Sequence, residues 1–277
     1  MDGVLLIDKE KGITSRDVVN KVCHILNTRK VGHCGTLDPI ATGLMIVCVN
    51  KATKIVDVLT EHDKEYICTV KVGINTDTYD VTGNILEERY EKIDKDTLIN
   101  TLNSFKGEYL QEVPIYSAIK VNGKKLYDYA RNNETVELPK HLVKIYDIEL
   151  LDNNEETFSF RVKVSKGTYI RSLVHDIGTK LNIPMSMQEL RRTKINNLDI
   201  KDSIKVEDVS FDKLINIKDI LNIKTVVVKD ELLKKIKNGN SINDIYNEEL
   251  ILFTDSDSNN LAIYKKYDNI LKAFKVF

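Results

Sequence analysis

An unbroken apolar run, LMIVCV at positions 44–49, limits most strongly what this chain can form. A half-buried strand alternates apolar and polar residues, so a continuous run bounded by Gly43 and Asn50 reads as a strand covered on both faces. Other segments supply its neighbours. Residues 4–7 form a second short apolar run, and Tyr66, Cys68, Val70 and Val72 recur at the period of two expected of a half-buried strand. The stretches 142–151 and 158–164 read as adjacent strands, and Asn122-Gly123, between AIKV and KKLY, is a two-residue hairpin signal. Helical spacing appears at Val18, Val22 and Ile25 or Leu26 with Ser15 as the cap, at Ile55, Val56 and Leu59 within 52–59, and at Leu98, Leu102 and Phe105. It recurs at Ile170, Leu173, Val174, Ile177 and Leu181, with Pro184 beyond the end. Strands and helices mix without a regular βαβ rhythm and without an internal repeat. The expected fold class is α+β: a mixed, mainly antiparallel sheet with flanking helices.

Residues 205–221 carry a polar helical pattern, and a new unit begins near Lys224. TVVV, ELILFTD and LAIYKKY read as strands and DELLKKIKNG as a helix ended by Asn238-Gly239, enough for a small β-rich domain leaning on a larger one. The expected division is 1–221 and 222–277. With 42% apolar and 30% charged residues the chain is neither disordered nor membrane-spanning, since no run approaches the ~20 apolar residues a bilayer requires. Charge follows a few apolar residues at the N-terminus, which is not a signal peptide, so a cytoplasmic location is expected. Cys23, Cys34, Cys48 and Cys68 form no C-x-x-C pair and read as reduced thiols. Cys23-His24 and His33-Cys34 are adjacent pairs, whose side chains rarely converge on one ion, so no metal site is expected.

Two stretches concentrate chemistry. In the first, GHCGTLDPIATG (32–43), Pro39 holds Asp38 in extended backbone. An Asp-Pro turn whose carboxylate bonds local amides is one reading. A functional loop is an equal one, because a His, two Thr and three Gly flank the Asp between buried elements. In the second, SKGTYIRSL (165–173), Gly167 and Thr168 end a strand and open a helix, placing Arg171 in its first turn. The helix dipole disfavours a cation there, so an acidic partner is expected, and Asp38 is a candidate; a solvated arginine is the alternative. Residues 161–194 hold eight cations against two carboxylates in a chain of net charge −1. Such a stretch suits a polyanion, or is simply a charged solvated face. Tyr66, Tyr116, Tyr127, Tyr129 and Tyr169 accompany it, as aromatics do where proteins hold unstacked bases, though tyrosine is also a common core residue.

Taken together these motifs resemble one family. GHCGTLDPIATG, KATK (51–54), KEYICTVKVGINTDTYD (64–80), VPIYSAIKVNGKKLYDYAR (113–131), SKGTYIRSL and LRRT (190–193) are similar, in order, to the blocks of the bacterial tRNA pseudouridine synthase B family. The resemblance spans residues 3–193, and IKNGNSI is similar to that family's small RNA-binding PUA domain. It implies an isomerase that converts the T-loop uridine at tRNA position 55 to pseudouridine. It further implies Asp38 as catalytic residue, with Arg171 paired to it and orienting it. Tyr66 would stack on the flipped base and be available for proton transfer. His33, Tyr169 and Leu190 would complete the nucleotide site, His33 supporting the RNA loop. The implied partner is the tRNA T-arm, with no obligatory protein partner, no membrane and a monomeric state. Glu10, Ile115 and Asn196-Asn197 depart from the family pattern away from these residues.

The chemistry accepts the assignment. The N1–C1′ bond of uridine breaks, the base rotates and a C5–C1′ bond forms, with no net electron transfer, so no cofactor is expected. A carboxylate beside C1′ can stabilise positive charge on the sugar or act as nucleophile or base. A closed apolar pocket keeps the freed uracil in and water out, and stacking on Tyr66 offsets part of the few kcal/mol that extrusion costs. Three other readings stay open: an RNA-binding protein without activity, a guide-dependent synthase, and a hydrolase of another nucleoside bond. The TDTYD segment and the long insert before VPIYSAIK favour a stand-alone enzyme.

Overall fold

In a computed structural model describing residues 1–277, the 44–49 run lies in a strand whose Leu44, Ile46 and Cys48 enter one core and whose Met45, Val47 and Val49 enter another. The chain opens with β1 (Gly3–Lys9), α1 (Ser15–Ile25), β2 (Val31–Cys34), β3 (Thr42–Val49), a 3₁₀ segment at Asn50–Ile55 and α2 (Val56–Thr60). Next come β4 (Lys64–Val72), a hairpin of β5 (Ile74–Thr76) and β6 (Ile85–Glu88), α3 (Lys95–Asn103), β7 (Gly107–Glu112), a tight hairpin of β8 (Lys120–Val121) and β9 (Lys124–Lys125), and α4 (Leu126–Arg131). Then follow β10 (Lys140–Asn153), β11 (Thr157–Val164), α5 (Ile170–Leu181), β12 (Met185–Ile195), β13 (Leu198–Asp199) and α6 (Ile217–Leu221). The last segment holds β14 (Lys224–Val227), α7 (Asp230–Lys237), β15 (Ile242–Asn243), β16 (Leu250–Thr254), β17 (Asn260–Tyr267) and β18 (Ile270–Val276).

The fold is α+β. A nine-stranded sheet runs β1-β3-β12-β4-β11-β10-β7, with β2 on β3 and β13 on β12. Within it β3 and β12 are parallel neighbours, and the other pairings are antiparallel. Helices α3 and α5 cover one part of the sheet through Leu98, Leu102, Leu173, Val174 and Ile177, while α1 covers another through Val18, Val19 and Val22. A second sheet, β14-β16-β17-β18-β15, closes over Ile236, Phe253 and Tyr264, and its Leu252 and Ile263 join the core of the larger unit. Two contacts fasten the units further: Lys54 donates to the Val276 carbonyl, and Lys275 pairs with Asp57. No helix is long and apolar enough to cross a membrane.

Several local expectations need correction. Thr14, not Ser15, caps α1, in a reciprocal capping box with Asp17. Residues 31–34, read as the start of a loop, form strand β2 along β3. The 52–59 segment begins as 3₁₀ and becomes α-helical only at Val56, and 205–221 breaks into 3₁₀ pieces before α6. The central strand β12 gave no alternation signal, because β-bulges at Met187/Glu189 and Arg192/Lys194 shift its register and because buried Arg192 occupies a core-facing position.

Where β3 meets β12, Gly43 pairs with Arg192 at φ +105°, and a Cβ there would lie 2.3 Å from the Arg192 carbonyl oxygen and 2.7 Å from its nitrogen. The close approach is to a backbone rather than to a ligand. Gly43→Ala combines a disallowed dihedral with a clash that no side-chain movement relieves. It is expected to cost about 3–5 kcal/mol and to lower Tm by roughly 10 °C, read by thermal unfolding.

Candidate active site

Asp38 is held by a loop anchored through its neighbours' backbone groups. The Asp38 carbonyl accepts the Ala41 amide at 3.0 Å, closing a turn with Pro39 as its second residue, and Leu37, Ile40 and Ala41 are buried in the core. Ser15, released from capping by Thr14, latches the loop from α1: its Oγ accepts the Leu37 N–H at 2.9 Å and donates to the Leu37 carbonyl at 3.0 Å. The Gly12 amide donates to the Pro39 carbonyl at 2.8 Å. From β12, Arg192 donates to the Leu44 carbonyl at 2.7 Å and the Gly35 carbonyl at 3.1 Å, which explains why a residue of the LRRT block is buried. The Asp38 carboxylate bonds no local amide. It faces Arg171, with Nε to Oδ2 at 3.0 Å and Nη2 to Oδ1 at 3.5 Å, and its side chain is 38% exposed.

Arg171 lies in the first turn of α5, and three further acceptors answer the adverse helix dipole. Nη1 donates to the Thr78 carbonyl at 3.1 Å and lies 4.0 Å from the Asp80 carboxylate, while Nη2 donates to the Tyr116 carbonyl at 3.0 Å. The guanidinium, 7% exposed, therefore stands between two carboxylates in a fork that a lysine could not fill. Asp80 is itself satisfied by the Thr78 hydroxyl at 3.0 Å and by the Thr82 amide and hydroxyl at 2.9 and 2.5 Å. The turn carrying Asp80 is pinned where Tyr79, at φ +60°, stacks on His175 with ring centroids 4.1 Å apart. Asp80 was not singled out in the sequence, though the repeated Asp and Thr of TDTYD were the visible signal.

Asp38 and Arg171 open on a cleft of about 780 Å³, within the ~300–1,000 Å³ typical of ligand sites. Tyr66 from β4, Leu190 from β12 and Tyr169 at the start of α5 line it, as do Tyr116 and Tyr127. His33 is absent from the lining; its side chain is half-buried on β2 with Nδ1 unpaired, and burial lowers its pKa. Tyr129 is also elsewhere, donating to the Val121 carbonyl with Lys124 over its ring. Lys64 lines the cleft and was missed. Its Nζ donates to the Thr60 and His62 carbonyls, and burial followed by the nearby Arg192 charge lowers its pKa to about 8. Behind the loop Lys9 is buried, donates to the Glu10 and Ile13 carbonyls, and is pushed down to about 8 by burial against a smaller opposing pull from Asp38.

Within the basic stretch 161–194, Lys166, Arg171 and Arg192 line the cleft. Arg171 and Arg192 are buried, Arg161 pairs with Glu149, Lys166 with Glu61, Arg191 with Asp8 and Lys194 with Glu65. Such exposed pairs, worth about 0–1 kcal/mol, can be exchanged for phosphate contacts, and Lys163 and Lys180 form no ion pair.

On the far side of α5, burial raises the Asp176 carboxyl to about 6, against the opposing pull of the adjacent Tyr109 hydroxyl. A carboxyl raised in the folded state binds more protons than in the unfolded chain, so folding stability falls as pH rises from about 4 to about 6 and stays lower above that. Asp176→Asn is expected to raise folding stability at pH 7.5 by on the order of 2 kcal/mol, with no gain at pH 4, read as a higher Tm at the upper pH only in thermal unfolding across that range.

Residues 23–170 match the TruB family pseudouridylate synthase N-terminal domain, and 171–222 match the tRNA pseudouridylate synthase B C-terminal domain. The chain is 43% identical to the tRNA pseudouridine synthase B of Clostridium kluyveri over 88% of its own length and 86% of that protein. It is 41% identical to that of Staphylococcus aureus strain MSSA476 over 100% and 99%. Among solved structures it is similar to a chain of a Cbf5-Nop10-Gar1 complex, with TM-score 0.74 and 25% identity over 99% of this chain and 84% of that one. It is also similar to a chain of an H/ACA RNP bound to a substrate RNA containing 2'-deoxyuridine, with TM-score 0.73 and 26% identity over the same shares.

Proposed function

The chain belongs to the TruB family of pseudouridylate synthases, and on that premise we propose that it converts the T-loop uridine at position 55 of tRNA to pseudouridine with Asp38 as the catalytic residue. The observation that carries this reading is the Asp38–Arg171 pair in the cleft: a carboxylate that accepts from no local amide, held at 3.0 Å by a buried guanidinium. An extruded uridine seated there meets three kinds of surface. Tyr66 offers a ring face for the base and a hydroxyl near it for proton transfer, while Leu190 and the Tyr169 ring supply apolar wall that retains the detached uracil. Asp38 stands for the sugar, where it meets positive charge developing at C1′ as the N1–C1′ bond breaks. When C5 bonds to C1′, the proton on C5 leaves and N1 gains one. Atoms and electrons balance without an oxidant or reductant.

Residues 222–277 form the second RNA-binding unit in this proposal, packed on the larger unit through a shared core, so that both contact one tRNA. The enzyme acts as a monomer on bare RNA, in the cytoplasm. The test is incubation of the purified protein with unmodified tRNA transcript carrying tritium at uridine C5, without added RNA, protein or cofactor. A single equivalent of tritium released per transcript is expected. Binding without release would leave only the RNA-binding reading, and release only with added guide RNA would make the enzyme guide-dependent.

A further inference from the structure

We propose that Gln111 is a positioning residue that sets Tyr169 and the first turn of α5, and through them Arg171 over Asp38; the inference rests on the role given to that pair above. Gln111 is 1% exposed, the one buried side chain of edge strand β7. Its amide reads both main-chain groups of Tyr169: Oε1 accepts the Tyr169 N–H at 2.8 Å, and Nε2 donates to the Tyr169 carbonyl at 3.0 Å. Tyr169 is the cap residue of α5, still in extended backbone, so its N–H has no helical partner and depends on this contact. Its ring lines the cleft, and Arg171 follows two residues later.

The amide has one orientation. Nε2 also donates to the Tyr109 hydroxyl at 2.6 Å, and the Asp176 carboxyl lies near that hydroxyl. A flipped amide would set Nε2 against the Tyr169 N–H, donor against donor. In the observed orientation both amide hydrogens and the carbonyl oxygen are used, so the side chain fixes the helix start in place as well as packing against it. A shift of about 1 Å in a catalytic constellation can cost ~100-fold in rate, which is the leverage available to a residue that touches neither substrate nor Asp38.

The test uses the full chain with Gln111→Leu and Gln111→Glu, single-turnover rates on tRNA transcript, RNA dissociation constants and hydrogen exchange at the Tyr169 amide. For Gln111→Leu the rate should fall about 10–100-fold, RNA affinity should stay within about threefold, and Tyr169 exchange should quicken at least ~10-fold. In Gln111→Glu an ionised carboxyl repels the Tyr169 carbonyl, whereas a protonated one donates to it. Its rate relative to wild type should therefore recover as pH falls from about 8 to about 5.5. The ratio cancels pH effects common to both proteins; the titratable groups near this position are Tyr109 and Asp176, with Glu112 and Lys140 acting on Asp176. An unchanged rate, a rate loss matched by lost affinity, unchanged Tyr169 exchange or a flat Gln111→Glu ratio would each overturn the proposal. Faster Tyr169 exchange in a protein that forms no pseudouridine at all would uphold the Gln111 contact and reject the function assigned to the site.

Discussion

Asp38→Asn is expected to lower pseudouridine formation by at least about 10⁴-fold while leaving tRNA affinity within about threefold and Tm nearly unchanged. The amide is isosteric with the carboxyl it replaces, and the loop that carries it is held by groups other than this side chain: Ser15 on Leu37, Gly12 on Pro39 and Arg192 on Gly35 and Leu44. Arg171 keeps the Thr78 and Tyr116 carbonyls and the Asp80 carboxylate, so its charge is not left without a partner. What disappears is the one anion free to face the sugar. Tritium release from C5-labelled transcript gives the rate and filter binding gives the affinity. Turnover within about tenfold of wild type would remove Asp38 from the proposed reaction.

Arg171→Met should damage both rate and stability. The substitution leaves the Asp38 and Asp80 carboxylates facing each other across an apolar side chain and takes the donor from two carbonyls. Breaking a buried pair costs about 3–5 kcal/mol, and Asp38, more than a third exposed, places this site at the low end. A Tm lowered by about 6–10 °C and a rate lowered by about 10³-fold or more are expected. Arg171→Lys separates the two effects. It returns the charge but not the planar fork, so it should regain part of the stability and little of the rate, read by thermal unfolding beside single-turnover kinetics. Full recovery of rate by lysine would mean that charge alone, without orientation, is what Arg171 contributes.

Much of the framework was legible because it rests on periodicity. The continuous run of β3, the alternation of β4, the spacing of α5 and the Asn122-Gly123 hairpin all express local rules that the tertiary structure leaves intact. That Arg171 calls for an acidic neighbour was legible for an electrostatic reason, since the first turn of a helix disfavours a cation, and the family resemblance named Asp38 as that neighbour. What could not be read is what depends on long-range contact. Arg192 looks like surface charge until β3 and the 35–38 loop supply its carbonyl partners, and this, with two bulges, hid the central strand. Lys64 and Lys9 are ordinary lysines in sequence and buried cations in the fold. Gln111 gains meaning only when β7 lies beside the start of α5, and the basic stretch proves to hold two buried arginines and several paired cations.

Mapping pseudouridine nucleotide by nucleotide in one unmodified tRNA transcript, after incubation with wild type and with Asp38→Asn, tests the central claim most directly. The account predicts a single new pseudouridine at position 55 with the wild-type protein and none with the variant. Modification at another uridine, or equal conversion at position 55 by both proteins, would contradict it.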